Sequence, residues 1–137
     1  MPSGLNDTIV DAILDKIAGP GADSTIFGAT AYLDLLTTAP SDDNGTGAVS
    51  WGQGRLSVAT VNGTNWPASS GRAKVSATFA LPANTSGSPI DVVAFAWYSA
   101  STSGTYKGGG PMPGGVVTIP AGATPEVTVT LAAPSPS

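Results

Sequence analysis

Only the first part of this chain has helical periodicity, and that restricts what the rest can become. Leu5, Ile9, Val10, Ile13, Leu14 and Ile17 recur at three- and four-residue spacing, with Asp7, Asp11, Asp15 and Lys16 on the opposite face. Asn6 or Asp7 can cap the start, the early acids suit the positive end of the helix dipole, and Gly19-Pro20 is a strong stop. The pattern predicts an amphipathic helix over residues 6–18. Each large apolar side chain buried stabilises by roughly 1.5–3 kcal/mol, so the stripe is worth up to about 10 kcal/mol and must dock on something. Covering the chain's own β-domain is the favoured reading; packing on a neighbouring subunit is the other.

After the Gly-Pro break the period changes from 3.6 to 2. Ala29, Ala31, Leu33 and Leu35 alternate with Thr30, Tyr32 and Asp34 before Thr37-Thr38-Ala39-Pro40 ends the run. Further strands are expected at Arg55 to Asn62, Lys74 to Leu81, Ile90 to Ser99, Gly115 to Ile119 and Glu126 to Ala132. The segment Val92 to Tyr98 is apolar on both faces and reads as a central strand. Strands spaced by turns without intervening helices predict a mainly β fold: an antiparallel β-sandwich, jelly-roll or immunoglobulin-like, preceded by one N-terminal amphipathic helix. The expected organisation is a helical arm over 1–19, a sandwich over 20–132 and a Pro/Ser-rich tail over 133–137. Ser41 to Gly54 and Thr102 to Gly114 read as two long loops without structure of their own.

Composition narrows the chemistry. The 137 residues contain no histidine and no cysteine, so the chain has no ordinary base poised near neutrality, no thiol nucleophile and no soft metal ligand. A net charge of −4 with only five scattered basic residues argues against nucleic acid. No segment is long and apolar enough to span a membrane, and Asp7, Asp11 and Asp15 interrupt the only stretch that a signal peptide could use. Four Asn-x-Ser/Thr triplets, beginning at Asn6, Asn44, Asn62 and Asn84, are read as turn chemistry rather than as glycosylation sites.

The remaining constellations are weak. Asp42, Asn44, Thr46, Gly47 and Gln53 approximate a calcium-loop spacing, but Gln53 stands where a bidentate Glu is needed, so an Asx-rich turn is the better account. The glycines of Gly108 to Gly115 lack the Lys-Ser or Lys-Thr of a phosphate loop. Asp34, Asp91 and Glu126 lie on or beside strands, but no spacing pairs two of them as glycosidase carboxylates. Neither a cofactor nor a metal is expected. Trp51, Trp66 and Tyr106 fall in or near loops, where aromatics either anchor an interface or close the end of a sandwich.

The order of these pieces carries a resemblance. Met1-Pro-Ser-Gly-Leu-Asn-Asp7 leading into the helix, Tyr32-Leu-Asp-Leu-Leu-Thr-Thr-Ala-Pro40, the acidic loop Ser41 to Gly47 and Trp51-Gly-Gln-Gly-Arg-Leu-Ser-Val58 together resemble small virion proteins of tailed bacteriophages. The strand around Phe95 and the closing Ile119 to Leu131 extend the likeness over most of the chain. Trp51 and Leu56 depart from it, standing where an aromatic after Gly-Gly is more usual. The resemblance implies a non-catalytic structural protein of the virion, made in the host cytoplasm. Its first implication is a capsid decoration protein that binds the major capsid protein on the shell exterior as a homotrimer. A tail-associated or receptor-binding part is the alternative, and a carbohydrate-binding module the third reading. On any of them the expected contact residues are the helix stripe of Leu5, Ile9, Val10, Ile13, Leu14 and Ile17, with Trp51, Trp66 and Tyr106.

Overall fold

A computed structural model describes residues 6–23, 28–42, 44–60, 65–71, 73–112 and 114–132. It is mainly β with antiparallel sheets and an N-terminal helix, as the change of period predicts. The helix, α1, runs Asp7–Ile17. Asn6 caps it, its side-chain oxygen accepting the Ile9 amide at 3.0 Å, and Ala18 leaves it in an extended conformation. Gly19 then takes a left-handed φ of 109°, where a Cβ would stand 3.0 Å from the Lys74 ammonium and 3.1 Å from the Trp66 carbonyl.

Eleven strands follow among the described residues: β1 Thr30–Thr38, β2 Val49–Ser50, β3 Leu56–Ala59, β4 Ala73–Val75, β5 Phe79–Ala80, β6 Ile90–Val92, β7 Ala94–Tyr98, β8 Tyr106–Pro111, β9 Val117–Ile119, β10 Glu126–Val127 and β11 Thr130–Ala132. The chain divides into two compact units. One, formed by 30–58 and 79–127, holds a sheet in the order β2-β1-β7-β8 with β3 also paired to β1, and the two-stranded ribbons β6–β9 and β5–β10. The other, formed by 1–29, 59–78 and 128–137, holds α1 and the ribbon β4–β11.

β7 is the central strand its sequence predicts, paired antiparallel on one edge with β1 and on the other with β8. Ala94, Phe95, Ala96 and Trp97 are all buried, and so are Leu33, Asp34, Leu35 and Leu36 of β1. Trp97 meets Phe79 edge to face at 6.3 Å. The alternation of β1 would leave Asp34 wet. Instead both faces of β1 are covered, and that carboxylate lies inside the unit.

Several expected strands are broken. Ile90 to Ser99 divides at Val93, which separates β6 from β7; its amide donates to the Leu36 carbonyl while its own carbonyl accepts from the Met112 amide. Lys74 to Leu81 stops at Ser76, whose hydroxyl accepts the Val129 amide at 2.9 Å in place of a carbonyl. Glu126 to Ala132 is interrupted at the same place. Of the expected Arg55 to Asn62, residues 56–59 form β3, and 61–62 lie outside the described residues.

The second expected loop is corrected. Thr102 to Gly114 contains β8, with Phe95 opposite Gly110 and Ala96 opposite Gly109. Composition hid this strand because glycine weakens a strand through lost side-chain packing and backbone entropy. Here the missing side chains are what allow the close approach. A Cβ at Gly109 would run into the Phe95 carbonyl oxygen, whereas one at Gly110 would make ordinary contact with the Phe95 ring at 3.4 Å. In the first expected loop, Ser41 to Gly54, only β2 is regular among the described residues.

Gly109→Ala should therefore cost about 1–3 kcal/mol in urea unfolding, as overpacking does. Gly110→Ala should stay within about 0.5 kcal/mol of the parent, the range of innocuous substitutions.

Candidate functional site

The helix divides its own stripe. Val10 and Leu14 are buried in the unit where α1 packs against β4, and Ile17 is half-buried. Ile9 and Ile13, one turn apart on the flank, remain 45% and 48% exposed. The helix thus docks in cis and still presents an apolar pair to solvent. Leu5 lies outside the described residues.

Beside α1 lies a cleft of about 310 Å³ lined by Asp15, Pro20, Trp66, Pro67, Ala68 and Lys74. Lys74 is 1% exposed, with its ammonium 2.9 Å from the Asp15 carboxylate and donating to the Pro67 carbonyl at 2.8 Å. Asp15 also accepts the Ser69 amide at 3.0 Å. The hydrogen bond from Lys74, seconded by that amide, holds the Asp15 carboxyl below its ordinary range. Trp66 forms the buried wall of this unit's core.

In the other unit, Asp34 accepts the Ser50 hydroxyl at 3.0 Å and the Arg55 Nε at 3.3 Å. Burial pushes its carboxyl above the ordinary value, against the opposing pull of Ser50 and Arg55. Arg55 lies over the Tyr98 ring at 3.8 Å and donates to the carbonyls of Ala100 and Ser103, both at 2.7 Å. Burial likewise raises the Tyr98 phenol. The segment so clamped, residues 99–105, is the turn between β7 and β8 and consists mainly of exposed serine and threonine. Ser103, at φ 54°, is the only non-glycine residue with positive φ among the described residues.

The loop aromatics fall inward. Trp51 is buried, its indole nitrogen donating to the Gly54 carbonyl at 3.3 Å. Half-buried Tyr106 meets Tyr98 edge to face at 5.8 Å and leaves no room for a Cβ at Gly45. The three candidate carboxylates take separate roles: Asp34 with Arg55, Asp91 accepting the Thr118 hydroxyl at 2.5 Å, and Glu126 exposed on β10. Asp42 is spent on an Asx turn, accepting the amides of Asn44 and Thr46 at 2.9 and 3.0 Å. Asn84 is fully buried, bonded through its amide to Ser88, Ile119 and Pro120. Among the described residues no three His, Cys, Asp or Glu side chains gather as a metal-holding group.

Two features escaped the sequence reading. Arg55 and Lys74 register there only as scattered charge, yet each organises a cluster. Their signal was position: in a chain with so few charges, Asp34 within Leu33-Asp-Leu-Leu36 and Lys74 at a strand start demand partners.

The model of the podophage GP4 fiber I protein gp80 family matches residues 4–129. The chain belongs to that family. It is accordingly a bacteriophage virion structural protein, named by its family for a fiber rather than for the head surface. No curated protein matches the chain significantly. The matched span of the fiber family takes in α1, both units' clusters and every strand as far as β10. Among the described residues no helix is long and apolar enough to cross a membrane.

Two measurements check this anatomy. Asp15→Asn, which leaves Lys74 buried without its countercharge, should lose about 1–3 kcal/mol at neutral pH. Because the folded-state pKa of Asp15 lies below its ordinary value, its contribution is present above that value and fades as pH falls through the lowered one, so the gap between variant and parent should close in acid. Leu14→Ala should cost about 2–5 kcal/mol. Ile13→Ala, on the exposed flank, should stay near 0.5 kcal/mol in the isolated protein.

Proposed function

We propose that this protein is a non-catalytic subunit of a phage fiber on the tail side of the virion, working through contact surfaces. The observation that carries this reading is the match over residues 4–129 to a family of fiber proteins. The fold supports it in kind. Low-charge, hydroxyl-rich surfaces can be brought into contact without desolvating many ions, and Ile9 and Ile13 offer an apolar pair that the chain's own core leaves uncovered. Copies of this chain and neighbouring virion proteins are the partners proposed; nucleic acid and membrane are not.

The decisive experiment is localisation with stoichiometry. Antibody labelling of intact particles together with quantitative mass spectrometry should place the protein at the tail, in copy number far below that of the major capsid protein. Labelling spread over the head, at several hundred copies, would replace the fiber reading with head decoration. As a second test, Ile9→Asp combined with Ile13→Asp should leave the monomer folded but reduce its incorporation into particles by about an order of magnitude, the effect of losing a contact worth about 1.4 kcal/mol.

A further inference from the structure

We propose that Asp34 and Arg55 form an acid-released latch on the turn between β7 and β8, residues 99–105. Arg55 holds this turn from outside it, through the Ala100 and Ser103 carbonyls. Within the turn, the Ser99 hydroxyl accepts the Thr105 amide at 2.7 Å. The carbonyl that Arg55 grips at Ser103 belongs to a residue in the left-handed region, a conformation that costs energy for serine and persists only when its surroundings enforce it. Arg55 is in turn placed by its bond to Asp34 and by the Tyr98 face beneath it.

Burial raises the Asp34 carboxyl above its ordinary value, so this member of the cluster takes up a proton in milder acid than an ordinary aspartate. Facing its carboxylate are the Ser50 hydroxyl of β2, the Arg55 guanidinium and the Leu35 amide of β1. Tyr98 of β7 senses both Asp34 and Arg55, with Tyr32 opposite it in register and Tyr106 against its ring. Lys107 follows Tyr106 on β8. Asp42, in the turn whose Gly45 abuts Tyr106, is held below the ordinary carboxyl range by its backbone donors and titrates later.

Protonating Asp34 removes the countercharge of a guanidinium whose side chain is only 13% exposed. An unpaired charge there gains by swinging into water, and the two carbonyl bonds leave with it. Ser103 can then relax. The effect is local for a thermodynamic reason. Burial raises the Asp34 pKa in the folded state above its ordinary 3.8, so the folded chain binds this proton more readily than the unfolded one. Stability from this group is fully present below the unfolded value and declines as pH rises through the folded one. Acid therefore opens the turn without unfolding the sheet through Asp34.

The test is amide hydrogen exchange on the full chain between pH 7 and pH 4, corrected for the intrinsic pH dependence of exchange. Protection of the Ser103 to Thr105 amides should fall on the order of tenfold as Asp34 protonates, while β1 and β7 hold theirs. Asp34→Asn should show the loosened turn already at pH 7, with a flat pH profile; Arg55→Gln should do the same. Flat protection in the parent would overturn the proposal, as would a loss shared equally by β1 and β7, or an Asp34→Asn profile that still follows pH. The parent titration decides even if either variant fails to fold.

Discussion

The pairing of β1 with β7 is the constraint on which the larger unit depends. Tyr32 to Leu36 lie opposite Ala94 to Tyr98 without a break in register, and the residues between those ends are buried on both faces. A one-residue slip would exchange every side chain between faces. Here that would move Asp34 away from Ser50 and Arg55, so the polar cluster and the apolar packing enforce the same alignment. β8 then adds to the free edge of β7, and its glycines are tolerated because Phe95 supplies bulk where Gly110 has none.

That outer edge explains why a Gly-rich strand can end a sheet safely. The Met112 amide donates to Val93, and alternation along an antiparallel ladder then turns the nitrogen of Pro111 away from β7. Proline has no hydrogen to offer there, and Lys107 brings a charge to the other end of the strand. Both features hinder unplanned pairing with another sheet. A virion structural protein needs its contacts confined to chosen surfaces, and the β8 edge is not one that invites another strand.

How much of this was legible in the sequence varies with the cause. The helix was, because its period, its Asn6 cap and its Gly19-Pro20 stop are local signals: residues 6–18 were expected and Asp7–Ile17 observed. The central strand was, because Val92 to Tyr98 is apolar throughout. The interruptions at Val93 and Ser76 were not, since each arises from a partner far along the chain, Leu36 and Met112 in one case and Val129 in the other. β8 was read as loop because its strand character comes from β7 and not from its own residues. The virion character of the chain was legible in the order of its pieces, but the choice between head and tail was not, because both roles ask for contact surfaces and neither imposes a motif.

The two ion pairs show how a chain so poor in charge uses the few it has. Asp34–Arg55 and Asp15–Lys74 each bury one partner almost completely while the other keeps some access to water. Isolated pairs of this kind add little net stability compared with apolar replacements, because desolvation offsets attraction. Their value lies in direction. Arg55 reaches from the edge of β3 to a turn more than forty residues away, and Lys74 ties the strand β4 to the helix that covers it. Apolar contacts of equal area would hold these elements together without fixing their orientation. In a protein proposed to work through its contact surfaces, that orientation is what the buried charges contribute.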